Sequence, residues 1–106
     1  MSTRSLIRFV DAHPEQMSSD CTSTYIIEFE KPMTLKQFVN IVFEERPNEW
    51  GYFNVHNQLS DDYLDYPYER GKLSRKIPVK FLDRKIENVW ANGGWSSMDY
   101  YIRLEE

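Results

Sequence analysis

Lys85-Ile86-Glu87-Asn88-Val89-Trp90-Ala91-Asn92-Gly93-Gly94-Trp95-Ser96-Ser97-Met98-Asp99-Tyr100-Tyr101-Ile102-Arg103-Leu104 reads as two strands folded back on each other about a glycine-containing loop. Val89 and Trp90 close one apolar run, while Tyr100, Ile102 and Leu104 alternate along the other. Asn92-Gly93-Gly94 is the expected source of the positive φ angles that a reversal needs. The rest of the chain is expected to pack on this ribbon.

Upstream, Thr24 to Glu30 places Tyr25, Ile27 and Phe29 on one face and Ile26, Glu28 and Glu30 on the other. That period-two alternation predicts a strand, which Lys31-Pro32 ends because proline cannot donate to a ladder. Thr34-Leu35-Lys36-Gln37 then matches a capping box, with Met33 and Phe38 at the spacing of a hydrophobic staple. The predicted helix runs over about 34–46, with Leu35, Phe38, Val39, Val42 and Phe43 on one stripe and Pro47 as its stop. A second strand is expected over 49–56, with Phe53 and Val55 facing the core and Tyr52, Asn54 and His56 on the opposite face. Tyr63 to Tyr68 reads as an edge strand or extended loop, because Pro67 interrupts it. A short strand ending near Arg75 and one helical turn over 77–83, with Phe81 and Leu82 inward, lead into the terminal ribbon.

Before Thr24 the sequence turns from mildly apolar to polar. Residues 1–23 are therefore expected to be an edge strand or a poorly ordered segment, with residues 11–22 a loop containing His13 and Pro14. The expectation is an α+β fold in a single domain, 1–106: one amphipathic helix on a mainly antiparallel sheet of four or five strands, closing with a C-terminal hairpin. That order is similar to ubiquitin-like and other helix-on-sheet folds. The likeness is one of architecture and carries no residues across.

The 106 residues suffice for one core. Aromatic residues make up 15% of the chain, so three Trp, seven Tyr and six Phe are expected to supply much of the buried area. Each contributes roughly 150 to 250 Å² when buried. The lone Cys21 cannot form an intramolecular disulfide, which favours a reducing compartment. Leu6-Ile7, interrupted by Arg8, is too short and too charged for a secretory or membrane-spanning segment. A soluble protein of a bacterial or phage-like cytoplasm, with no membrane association, is the expectation.

Two histidines and one cysteine argue against a structural zinc site, and Asp61, Asp62 and Asp65 lack the pattern of a calcium loop. No nucleophilic-serine, phosphate-loop or dinucleotide motif accompanies Gly93-Gly94. Neither a cofactor nor a catalytic residue is therefore assigned. An enzyme, if this is one, would use His56 with a neighbouring carboxylate or tyrosine.

Charge segregation stands out instead. Asp61, Asp62, Asp65 and Glu69 precede Arg70, Lys72, Arg75, Lys76, Lys80, Arg84 and Lys85, against which only Asp83 is set. One reading is a solvated edge that discourages strand-to-strand aggregation; the other is a patch that steers a partner. Tyr68, Trp95 and Tyr101 are its candidate aromatic anchors, and Trp50, which like Trp95 adjoins a glycine, is a further candidate as a half-exposed ring at a bend, against the alternative of a ring capping the core. The loop Asn92-Gly93-Gly94-Trp95 is longer than a tight turn requires and is a candidate recognition site. A formal net charge of -4 disfavours nucleic acid as the partner, though 70–85 leaves it open. The favoured function is a non-catalytic protein-interaction module acting through an aromatic and charged sheet surface.

Overall fold

The terminal ribbon occupies the middle of the sheet. A computed structural model describes residues 5–12, 23–94 and 96–106. Among these, seven strands form one sheet: β1 (Ile7–Asp11), β2 (Ser23–Phe29), β3 (Trp50–Asn57), β4 (Asp62–Glu69), β5 (Lys72–Leu73), β6 (Ile86–Gly93) and β7 (Ser97–Leu104). Their order is β1-β2-β6-β7-β3-β4-β5. Helix α1 (Leu35–Glu45) links β2 to β3, and the single turn α2 (Val79–Leu82) precedes β6. Neighbouring strands are antiparallel except β3 and β7, which run parallel. The β6–β7 hairpin thus separates the two strands that α1 connects.

The sheet is larger than the four or five strands expected, and a second short helix joins the first. Pro67 explains part of the difference. The Arg70 N–H donates to the Glu49 carbonyl at 3.0 Å, which makes Gly51/Tyr68 and Phe53/Tyr66 the hydrogen-bonded pairs of β3 and β4. Pro67, opposite Tyr52, falls in a pair that needs no N–H from it. Its ring nitrogen faces the outer edge, where its carbonyl accepts the Ser74 N–H at 2.8 Å. Strand β4 therefore runs unbroken over eight residues. Strand β5 has only two, below the length that a periodicity can register.

Helix α1 begins as its sequence requires. Thr34 is extended (φ -81, ψ 163), its Oγ1 accepts the Gln37 N–H at 3.3 Å, and the Thr34 N–H donates to Gln37 Oε1 at 2.9 Å. Met33 and Phe38 are both buried at the staple positions. Thr34→Ala is expected to cost about 1 kcal/mol, seen as a lower urea midpoint at unchanged slope. An unchanged midpoint would mean that the cap adds nothing to what packing already holds.

Leu35, Phe38, Val39 and Val42 press on one face of the sheet. Phe38 meets Phe29, Phe53 and Tyr100 edge-on at ring-centroid distances of 5.9, 6.3 and 5.3 Å. Phe53 stacks on Tyr100 at 5.3 Å and lies 4.6 Å from Tyr68. Aromatic pairs of this kind add about 0.5 to 1.5 kcal/mol each beyond their buried area. Helix α2 contacts α1, so both helices lie on the same side of the sheet, with Ile77 and Phe81 turned into the core.

Within the hairpin the glycines act differently from expectation. Gly93 is buried and is not in the left-handed region. A Cβ there would stand 2.2 Å from the Ser97 carbonyl oxygen and 2.8 Å from Met98 Cα. Close approach of β7, rather than a positive φ, demands glycine at this position.

Candidate functional site

The register of the seven strands defines a second sheet face that neither helix covers. One row across it runs Val10, Ile26, Trp90, Tyr101, Asn54, Asp65, from β1 to β4. The next runs Thr24, Asn92, Asp99, Tyr52, Pro67, and Trp50 follows beside Ser97 and Glu69. Trp50, Tyr52, Tyr63, Trp90, Tyr101 and Ile26 are 37% to 51% exposed, against 6% or less for most of the opposite face. Tyr63 and Tyr101, on the strands flanking β3, meet edge-on at 5.6 Å. They close over that strand, which accounts for the burial of Asn54 and His56 beneath an otherwise open surface. The Asn54 amide donates to the Tyr100 carbonyl at 3.1 Å and so is satisfied there.

Charges on this face are matched at its margins and unmatched in its middle. At one margin Arg8 pairs with Glu28, and at the other Lys72 stands opposite Glu69. Between them lie Asp99 on β7 and Asp65 on β4, for which the described residues supply no ion pair. Burial, with the Asp65 charge added, raises the Asp99 carboxyl above its ordinary value despite a hydrogen bond from the Tyr52 backbone. Burial and then the charges of Asp99 and Asp65 raise the Tyr101 hydroxyl.

At one end of the face, His56 Nε2 lies 2.7 Å from Asp61 Oδ1, and the His56 ring meets Tyr63 edge-on at 5.3 Å. The hydrogen bond from His56 lowers the Asp61 carboxyl, and Arg103 adds a smaller effect of the same sign. Asp61 takes a left-handed φ of 57 at the end of the β3–β4 turn. His56 also lines a cleft of about 560 Å³ with Gln58, Glu87, Arg103 and Glu105. The cleft lining also carries the carboxylates of Glu87 and Glu105, and the His56–Asp61 pair beside them can relay a proton or fix the turn.

The sequence-derived candidates separate in space. Trp50 and Tyr101 belong to the open face. Tyr68, expected to be an exposed anchor, is instead in the core, because its pairing with Gly51 turns it toward Phe43 and Phe53. Arg70 and Lys76 are exposed beside β4 and β5, Lys72 faces Glu69, and Lys80 is exposed on α2, with its ammonium 5.3 Å from the Phe81 ring centroid. Arg75 is committed to the Asp65 carbonyl, at 2.7 Å, and to the Tyr66 ring, at 4.5 Å. Arg84 is likewise held by the Glu105 carbonyl and Gln58. Gly93 is a packing residue, and the Gly94 N–H closes the hairpin on the Ser97 carbonyl at 3.0 Å. Trp95, His13 and Cys21 lie outside the described residues.

Sequence reading missed Trp90, Tyr52, Tyr63 and Asp99 as site residues. The signal was present: Val89 inward forces Trp90 outward, and Tyr100 inward does the same for Tyr101 and Asp99. What the alternation lacks is the register that makes Trp90 and Tyr101 neighbours.

Among the described residues, no group of three or more His, Cys, Asp or Glu side chains is placed to hold a metal ion. Among the same residues, no helix is long and apolar enough to cross a membrane. Comparison with protein families, curated proteins and solved structures finds no match to this chain.

Proposed function

We propose that the protein is a non-catalytic interaction module that docks another protein on its uncovered sheet face. The observation that carries this reading is the run of half-exposed rings, Trp90, Tyr101, Tyr63, Tyr52 and Trp50, on neighbouring strands of a rigid sheet. Tyrosine and tryptophan are enriched among the residues that dominate binding energy, since each offers a large contact area and loses little rotamer freedom. The lone cysteine supports a reducing, cytoplasmic setting. The nucleic-acid reading has less behind it: Arg75 and Arg84 are fixed on backbone carbonyl groups and Lys80 stands on α2, so the basic residues of 70–85 are spread over separate elements. An enzyme built on His56 has behind it the single Asp61 contact and a cleft whose carboxylates, Glu87 and Glu105, belong to solvent-exposed residues.

Affinity capture from the source cells tests the reading, with wild-type protein set beside the double variant Tyr52→Ala, Trp90→Ala. The expected result is a discrete partner retained by the wild type and reduced more than about tenfold by the variant, at an urea midpoint close to the wild type. Equal recovery by both proteins would overturn it.

A further inference from the structure

We infer that the partner of the open face is a protein surface rich in arginine and lysine. This rests on the docking reading above and adds the chemistry of the occupant. Asp99 and Asp65 stand on either side of β3 among Tyr52, Tyr101 and Trp90. A partner that covers the rings must also cover these two carboxylates. Covering them with apolar or acidic groups leaves two desolvated charges without partners, which costs several kcal/mol in general. Covering them with guanidinium or ammonium groups removes that cost.

The surrounding rings reinforce the same choice. The face of a tyrosine or tryptophan ring attracts a cation within about 6 Å, arginine more often than lysine. A carboxylate beside such a ring gives a guanidinium both a hydrogen-bonding fork and a stacking surface. The molecule already makes this kind of contact elsewhere, where Arg46 lies over Phe9 at 4.6 Å and Arg75 over Tyr66 at 4.5 Å. On the open face the rings stand beside Asp99 and Asp65, while Arg8 and Lys72, cations of that face, stand at its margins opposite Glu28 and Glu69. Arg103 is on this face, but at the His56 end, where its charge acts on Asp61. The margins point the same way, since Arg8 with Glu28 and Lys72 with Glu69 are balanced pairs that neither attract nor repel a basic surface strongly. The net charge of -4 favours approach of a cationic partner at long range.

The test uses the full chain with three short amidated peptides that alternate leucine with arginine, with lysine or with glutamate. Binding is followed by NMR at the Trp90 indole N–H and the Tyr52 and Tyr101 backbone amides. The arginine peptide is expected to shift these signals, the lysine peptide more weakly, and the glutamate peptide not at all. Raising salt from about 50 to about 500 mM should weaken the effect. Asp65→Asn with Asp99→Asn should weaken the arginine peptide roughly tenfold while leaving the fold intact, since each asparagine keeps a carbonyl acceptor. Equal binding of the arginine peptide by this variant overturns the inference. So does equal or tighter binding of the glutamate peptide or of single-stranded DNA at the same signals, or self-association of the chain through this face. The captured partner separates this inference from the reading beneath it. A partner lost with Tyr52→Ala, Trp90→Ala but retained with Asp65→Asn, Asp99→Asn leaves the docking face standing and removes its basic occupant. A partner retained by both variants removes both.

Discussion

Glu49→Ala is expected to destabilise the protein by roughly 3 to 5 kcal/mol, the usual cost of removing one member of a buried charged network. Glu49 is 5% exposed at the join between α1 and β3. Its Oε1 accepts from the Tyr68 hydroxyl at 2.6 Å and from the Tyr100 hydroxyl at 2.7 Å, and its Oε2 accepts from Arg46 Nε. Arg46 in turn lies over the Phe9 ring, so the one carboxylate connects β1, the end of α1, β4 and β7. Burial drives both tyrosine hydroxyls far above the ordinary phenol range, which keeps them protonated as donors. Alanine would leave those two hydroxyls facing a cavity and the half-buried Arg46 without its carboxylate. The Tyr68 hydroxyl has a second acceptor at hand, the Met98 carbonyl 3.2 Å away, and the Tyr100 hydroxyl can turn to the Tyr68 oxygen.

Urea unfolding of Glu49→Ala and Glu49→Gln separates the tyrosine hydrogen bonds from the Arg46 contact. Glutamine keeps an oxygen for the tyrosines but turns an amide N–H toward Arg46 Nε, so it loses both the attraction and the hydrogen bond to Arg46, and its cost should be the smaller of the two. A loss below about 1 kcal/mol for alanine would place the network among surface ion pairs in energetic worth. Equal losses for the two variants would assign the whole effect to the Arg46 contact. The partners sit 19 and 51 residues away in sequence, so no local pattern around Glu49 announces its burial.

Local patterns were otherwise good guides to faces and poor guides to neighbours. The alternation in β3 put Phe53 and Val55 inward and Tyr52 outward, because one buried face forces every second residue to be apolar. The cap at Thr34 and the stripe on α1 were legible because each is decided within one or two turns. The parallel pairing of β3 with β7 was not, since it joins segments nearly fifty residues apart and leaves no mark in either. That pairing is what brings Tyr52 beside Asp99 and Asn54 beside Tyr101. The candidate site was accordingly half visible: Trp50 and Tyr101 could be named from sequence, while Trp90, Tyr63 and the two carboxylates needed the register. The basic segment 70–85 drew attention by composition, yet charge counts cannot tell an arginine free to reach a partner from one fixed on a backbone carbonyl, as Arg75 and Arg84 are.

Gly51→Ala should be the most damaging single-methyl change in the chain, on the order of 4 kcal/mol or more, in the range reserved for mutations with a specific structural cause. Two effects act there and their sizes differ. Backbone strain is the smaller: a non-glycine residue forced into a sparsely populated conformation costs about 1 to 3 kcal/mol, and Gly51 has φ 153. Collision is the larger, because a Cβ at Gly51 would fall 2.0 Å from the Met98 carbonyl oxygen and 2.8 Å from its carbon. These are backbone atoms of β7 and cannot rotate aside. Relief requires β3 and β7 to separate where Gly51 faces Met98, next to the pair Tyr52/Asp99. Gly71 serves as the control, since it has φ 76 but its Cβ would meet nothing closer than Phe43 Cβ at 3.9 Å. Gly71→Ala should therefore lose only the conformational part, about 1 to 2 kcal/mol, and keep the open face. Gly51→Ala should lose both the stability and the NMR signature of Tyr52 packed against β7. A Gly51→Ala protein no less stable than Gly71→Ala would mean that the parallel pair can widen freely, and that the sheet, rather than this contact, sets the spacing of the aromatic row.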